Sequence, residues 1–325
     1  MTEPTRPARG LRAAFPATSY RVLRGFTMAT AIALGAIVVT GGGVRLSDSG
    51  LGCPTWPKCT NAAVGSFGDL HKSIEFGNRL ITVAITVLIA ATLALVLRLQ
   101  QKRRDLTLLA VALVVGVIGD AIIGGLSVRY DLPPALVSVH FLFSMLLLWV
   151  GLLLHSRVSR DEDAVPLQTA RSELFWLSGA LVLVSGAVLV VGTLVTGSGP
   201  HSGGGHHPRL HLTSLRNITQ LHADLAMLLT GLVVATLLVA RLAPAVPAPA
   251  RRRATWLAIT VVGQATVGFV QYATDLPSGL ILVHIAGSVT LWSLAIGVAL
   301  GCRTWPPMTA PVPSEARAFA APATV

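Results

Sequence analysis

Eight apolar runs, each long enough to cross a bilayer, constrain this chain more than any other feature. They cover roughly 26–44, 74–97, 106–126, 135–155, 174–196, 218–240, 254–273 and 280–301. A hydrocarbon core about 30 Å thick needs roughly 20 such residues per helix. Only 12% of the 325 residues are charged, half the roughly 25% of a soluble domain, which excludes a soluble enzyme and a disordered chain. The reading is an all-α polytopic membrane protein with eight transmembrane helices. The first run is too long for the apolar region of a signal peptide, and no small-x-small cleavage site follows it, so it reads as a retained helix. The ends, 1–20 and 304–325, are rich in Pro, Ala and Arg and read as disordered tails.

The net charge of +11 reports orientation before it reports partners. Of the 25 Lys and Arg, 18 fall on one side of the spans and 7 on the other. The positive-inside rule then puts both termini in the cytoplasm of a multi-pass protein of the cell membrane. The arginine runs, Arg251-Arg252-Arg253 among them, read as anchors at the lipid bilayer and not as a nucleic-acid surface.

Shifted by 144 residues, the chain matches itself without gaps from about 72 to 140. Lys72 falls on Arg216, Ile74 on Ile218, Gly124 on Gly268, Asp131-Leu132-Pro133 on Asp275-Leu276-Pro277, and His140 on His284. Thr40-Gly-x-Gly43 and Thr196-Gly-x-Gly199 open a similar match in a slightly different register. The expected organisation is two pseudo-symmetric four-helix bundles, a first half over 21–157 and a second over 174–303, joined by a linker over 158–173. Four-helix bundles commonly hold cofactors between facing helices.

Ionisable groups inside a membrane are costly and point to function. His222 and His284 lie at one expected depth in equivalent helices, about one turn inside the outer boundary. Two such imidazoles can ligate one haem iron from both faces, leaving no open position, which suits electron transfer. Zinc wants three or four ligands, often Cys, and no Cys lies within a span at that depth. The first half has His140, but Asn78 stands where the repeat would put the partner of His222. Glu75 lies three residues before Asn78 on the same helix face. It reads either as an ion pair with Arg79 or Lys72, or as a carboxylate beside a less fully ligated iron. The asymmetry suggests substrate in the first half and an electron carrier in the second.

Cys53 and Cys59 flank Pro-Thr-Trp-Pro-Lys in the first outer loop, where two prolines would shape the turn. On an oxidising face they can form a disulfide, as a structural staple or as a redox pair. Cys302 is expected as a free, inert thiol on the other side. His201, His206, His207 and His211 crowd a second outer loop, which reads better as a polar lid than as a metal site. Lys72 and Arg216 are candidates for haem propionates or for interface anchors.

At these residues the chain resembles the haem A synthase family of cytochrome oxidase assembly. The stretches that carry the resemblance are Thr40 to Cys59 with its Gly-Leu-Gly-Cys-Pro-Thr-Trp-Pro-Lys-Cys loop, Glu75-Phe-Gly-Asn-Arg79, Thr196 to Gly203, Gln220-Leu-His-Ala-Asp224, and the two Asp-Leu-Pro loops leading to His140 and His284. It covers residues 20–302. The resemblance implies eight helices in two halves and an oxidation of the C8 methyl of haem O to the formyl of haem A. It implies a haem b on His222 and His284, a substrate haem on His140, with Asn78 and Arg79 in the substrate pocket. It further implies an essential carboxylate at Glu75 and an outer Cys pair at Cys53 and Cys59. The chain departs from the family at Asn78, where many members carry His, and lacks the second Cys pair some members hold between helices 5 and 6.

The leading reading is thus a haem-dependent membrane oxidoreductase, with haem O as substrate, haem A as product and haem sites near the outer face. Its expected partners are an unidentified electron donor, haem O synthase and cytochrome oxidase assembly factors, with homo-oligomerisation left open. The rivals are a quinol-oxidising di-haem cytochrome and a haem transporter or chaperone. Neither rival explains Glu75 beside a weakened ligand position.

Overall fold

Each apolar run becomes one α-helix in the computed structural model, which describes residues 18–53, 56, 59, 69–160, 168–169, 172–202, 209–210, 213–243 and 246–305. Among these residues the helices are α1 (Tyr20–Leu46), α2 (Leu70–Leu97), α3 (Arg104–Arg129), α4 (Pro134–Val158), α5 (Ser172–Ser198), α6 (Leu215–Leu242), α7 (Ala248–Ala273) and α8 (Ser278–Gly301). Two short strands, β1 (Gln168–Thr169) and β2 (Arg303–Thr304), pair antiparallel. All eight helices are long and apolar enough to cross a membrane. The chain is an all-α, multi-pass membrane protein.

The helices begin earlier than the apolar runs, because a run measures only the hydrocarbon core while the helix continues to its cap. Ser19 Oγ accepts the Val22 N–H at 3.4 Å to open α1. Asp69 accepts those of His71 and Lys72 at 3.0 and 3.4 Å to open α2. Ser214 Oγ accepts the Asn217 N–H at 3.2 Å to open α6. Each cap satisfies donors that the first turn leaves unpaired. The Lys72 N–H also holds the exposed Asp69 carboxyl below its ordinary pKa. Tyr20, expected in a disordered tail, is the first helical residue of α1. Thr304 and Trp305, expected in the other tail, are also placed: Thr304 pairs with Gln168, and the Arg160 guanidinium stacks 3.9 Å from the Trp305 ring. Thr18 and Ser19 of the first expected tail are placed as well, the Thr18 N–H donating to the Arg98 carbonyl at 3.2 Å, and residues 1–17 and 306–325 lie outside the described residues.

Packing runs in two circuits: α1 on α2, α2 on α3, α3 on α4 and α4 back on α1, then the same through α5, α6, α7 and α8. Further contacts join α1 and α4 to α8, and α4 to α5. One core cluster gathers Leu23, Leu34, Ile89, Leu113 and Leu148 but also takes Val289, Trp292 and Ile296 from α8. The other is built from Leu174, Leu181, Leu229, Val233 and Leu257. Trp292 is the joint between them: its indole N–H donates to the Met145 carbonyl at 3.0 Å, and its ring meets Trp149 edge-on at 5.9 Å. Apolar lipid gives helices no hydrophobic reason to associate, so close packing and interhelical hydrogen bonds of this kind carry the contact.

The repeat reappears in the backbone. Asp131 and Leu132 both have positive φ (56° and 61°), as do Asp275 and Leu276 (59° each). The Leu132 N–H returns to the Ser127 carbonyl at 2.7 Å, and the Leu276 N–H to the Gln271 carbonyl at 2.8 Å. A proline follows each pair and starts the next helix, α4 or α8. Left-handed conformations at non-glycine residues cost on the order of 1–3 kcal/mol each. The same costly turn is therefore kept twice, each time just before a helix that carries a histidine.

Candidate functional site

Asn78, His140, His222 and His284 all fall in the second or third turn of α2, α4, α6 and α8. At 1.5 Å per residue they share one depth. That is deeper than the single turn expected, because the helices start earlier.

His222 and His284 face each other from α6 and α8, which sit across the second circuit. Their ring centres are 6.4 Å apart, with planes inclined by 62°. Two imidazoles joined through one metal by bonds of about 2 Å have ring centres roughly 6 Å apart. The Nδ1 atoms of both rings are buried without a well-aligned hydrogen bond among the described residues, His222 having only the Val188 backbone of α5 nearby. Such polar atoms are costly to leave unmet, and the pair fits two axial ligands of a haem iron. Gly192 on α5 gives His222 its room: a Cβ there would lie 3.1 Å from the imidazole Cε1.

The first circuit does not repeat this pair. Asn78 Oδ1 instead accepts the Thr40 hydroxyl of α1 at 2.8 Å. His140 is held by α3: its Nδ1 lies 2.9 Å from Asp120 Oδ1, though outside good hydrogen-bond alignment. Asp120 Oδ2 accepts the Ser144 hydroxyl at 2.7 Å. Asp120 and Ser144 did not emerge from the sequence, although a lone carboxylate amid Val, Ile, Gly and Leu is itself a signal.

Glu75 is 5% exposed and doubly engaged. Oε1 pairs with the Arg79 guanidinium one turn along α2, and Oε2 accepts the Cys53 N–H at 2.7 Å. Of the two expected cationic partners, the structure selects Arg79; Lys72 pairs with Asp69 at 3.5 Å. Cys53 and Cys59 form a disulfide with Cα atoms 4.5 Å apart, within the span a disulfide allows. The stapled loop lies tightly on its surroundings. A Cβ on Gly52 would come within 2.6 Å of the His71 carbonyl oxygen, and one on Gly125 of α3 within 2.6 Å of the Trp56 ring. The described residues Gly52, Cys53 and Trp56 are thus held against α2 and α3, at the end of the first circuit that carries His140.

In the second outer loop only His201 of the four histidines lies within the described residues; its Nε2 is 3.2 Å from the Leu276 carbonyl. His206, His207 and His211 lie outside them. No group of three or more metal-binding side chains occurs among the described residues. Arg216, the repeat partner of Lys72, is exposed. Arg45, at the end of α1, was counted in the sequence only as an outer charge. Its Nε and Nη2 atoms are buried without a hydrogen-bond partner among the described residues. Cys302 is a free cysteine, 1% exposed, and burial pushes its thiol pKa up.

A family model described as cytochrome oxidase assembly protein matches residues 24–66 and 69–296. Among curated proteins, the chain is 28% identical over 179 residues to "Heme A synthase" of Lysinibacillus sphaericus, covering 54% of this chain and 58% of that protein. It is 28% identical over 145 residues to "Heme A synthase" of Symbiobacterium thermophilum, covering 44% and 47%. A third relative, "Heme A synthase" of Bacillus mycoides, is 25% identical over 127 residues, covering 39% and 41%. These matches span about half the length of the curated relatives. A family match over most of the chain, together with eight membrane-spanning helices and the Cys53–Cys59 disulfide, leads to one assignment: the chain belongs to the COX15-CtaA family of cytochrome oxidase assembly proteins, the haem A synthase family.

Proposed function

We propose that this protein is a haem A synthase that oxidises the C8 methyl of haem O to the formyl of haem A. The observation that carries the reading is the facing pair His222 and His284, with the spacing two axial imidazoles need. In this reading the second circuit holds a haem b on that pair, and the first receives haem O on His140. A bound haem b supplies one-electron transfer.

The protein's own residues do the rest. Asn78, turned toward Thr40, leaves the position across from His140 without a strong ligand. Glu75 lies on the helix face of Asn78 and accepts or returns protons as the methyl group is oxidised. Arg79, its ion-pair partner, holds the carboxylate in place. Trp56, packed at Gly125 of α3, helps to shield the pocket from water. Arg45 is better placed than Lys72 to meet a haem carboxylate, because its buried guanidinium nitrogens lack a partner among the described residues while Lys72 already pairs with Asp69. Arg216 is the corresponding candidate in the second half.

The excess of Lys and Arg puts both termini in the cytoplasm, which sets the haem sites near the outer face of the cell membrane. Haem O synthase would deliver the substrate and cytochrome oxidase assembly factors would take the product. The methyl-to-formyl change is a four-electron oxidation, which would balance with dioxygen as oxidant and oxygen source and a separate donor supplying the electrons that reduce the remaining oxygen to water.

The test is haem extraction from a host that makes haem O but no haem A, with and without this gene. The proposal expects haem A only when the gene is present. A di-haem cytochrome or a haem carrier would leave haem O as the end product.

A further inference from the structure

Asp120 lies in the middle of an apolar membrane helix, with its side chain 14% exposed. An isolated carboxylate there costs several kcal/mol unless it is partnered. Its two oxygens are divided: Oδ1 sits 2.9 Å from His140 Nδ1, and Oδ2 accepts the Ser144 hydroxyl at 2.7 Å. One turn along α3 lies Gly124, where a Cβ would stand 3.1 Å from the His140 Cε1 and 3.3 Å from Nε2. The imidazole is therefore laid along α3 with Nδ1 beside a carboxylate, and Nε2 remains for another partner.

The internal repeat supplies the control. Under the 144-residue shift Asp120 falls on Gln264, Gly124 on Gly268 and Ser144 on Ser288. Gln264 is neutral, and its amide end packs directly against Gly287 of α8. Neither His140 Nδ1 nor His284 Nδ1 makes an aligned hydrogen bond among the described residues, but His140 Nδ1 has the Asp120 carboxylate 2.9 Å away and His284 has no carboxylate there. Ser288 Oγ donates to the Ile285 carbonyl at 2.8 Å. The same scaffold thus backs one histidine with an anion and leaves its counterpart without one.

We propose that Asp120 is the positioning residue of the first haem site. It fixes His140 in the Nδ1–H tautomer, presents Nε2 to the iron of the bound haem, and makes His140 a stronger electron donor to that iron than His284 is to its own. A carboxylate behind a ligating histidine sets ring orientation and raises ligand basicity, and losing it typically costs about 10–100-fold in affinity or activity. Ser144 aims the carboxylate. This inference rests on the proposal that His140 ligates haem in the first half.

The experiment uses the full-length protein purified in detergent, with haemin as probe, read by optical titration and by redox titration of each spectral component. His140→Ala first identifies the component that depends on His140. In Asp120→Asn that component should bind haemin roughly 10–100-fold more weakly and shift to a higher midpoint potential. The low-spin haem of His222 and His284 should keep its spectrum and potential, and so reports correct folding. Asp120→Glu should restore part of the affinity, and Ser144→Ala should weaken the same component by less than Asp120→Asn. If Asp120→Asn fails to fold, Ser144→Ala decides, and wild-type affinity and potential in it would overturn the proposal. An unchanged His140-dependent component in folded Asp120→Asn would overturn it too. If His140→Ala removes no haem at all, the first-half haem site falls and Asp120's role falls with it, a distinct result.

Discussion

The two halves share a scaffold and differ in charge. Both run the same packing circuit, place a repeat position at one depth on their second and fourth helices, and precede the fourth helix with the same left-handed turn. Yet three charged residues around the first site have neutral counterparts in the second, while Lys72 keeps its charge as Arg216. Glu75 corresponds to Thr219, Arg79 to Ala223 and Asp120 to Gln264. The second half keeps two histidines facing each other, while the first keeps one histidine, a carboxylate behind it and an asparagine turned away. The outer coverings differ in kind as well. A disulfide staples the first loop, whereas among the described residues of the second His201 Nε2 lies 3.2 Å from the Leu276 carbonyl. Duplication preserved the frame that sets depth and spacing, while divergence reached the side chains that could change chemistry. A symmetric electron carrier would have little use for that pattern, but an enzyme with one resident and one reacting haem would.

The sharpest way to break the comparison is through the second half. His222→Ala and His284→Ala should each abolish low-spin haem b, because two imidazoles are needed to complete that iron. Optical and electron paramagnetic resonance spectra of the purified variants check this, and a normal low-spin signal in either would remove the site. Next comes Glu75→Gln. Haem b should stay while haem A production falls by about 10²–10⁴-fold, the usual contribution of one acid–base group. Near-normal haem A in extracts would leave Glu75 only its structural links to Arg79 and the Cys53 N–H.

A smaller effect is expected from the staple. Cys53→Ser should lower thermal stability by about 2 kcal/mol, the scale for a short closed loop, and reduce haem A formation without touching haem b. Equal loss of both haems would mean that the loop serves the whole protein and not the first half. The smallest effect concerns Cys302 near the opposite end of α8. Burial raises its pKa, so the thiolate is scarce at neutral pH and access is closed. Native protein should resist maleimide, and denatured protein should take one equivalent at this position under non-reducing conditions.

Much of this was legible in the sequence, for stated physical reasons. Apolar length fixes the spans. The gapless self-match fixes the equivalence of His140 with His284 and of Asn78 with His222. The Cys-Pro-Thr-Trp-Pro-Lys-Cys loop announces its own closure. Asp120 carries a weaker signal, a lone carboxylate in an apolar span that the 144-residue shift sets against Gln264. Trp56 and Ser144 carry no signal of their own; their roles come from which glycine or carboxylate the fold brings opposite them. The partner of Glu75 was undecided between Arg79 and Lys72. A four-residue helical spacing favours Arg79, while Lys72 is drawn to the Asp69 cap, a choice that depends on where α2 begins.

The most direct test of two unlike haem sites on one repeated scaffold is the pigment content of wild-type, His140→Ala and His222→Ala protein, purified from cells supplying both haem B and haem O. The account predicts that His222→Ala removes the low-spin haem b. It predicts that His140→Ala leaves that haem and its spectrum intact while eliminating bound haem O and haem A. Loss of both pigments from either folded variant, or a low-spin signal that depends on His140, would contradict it.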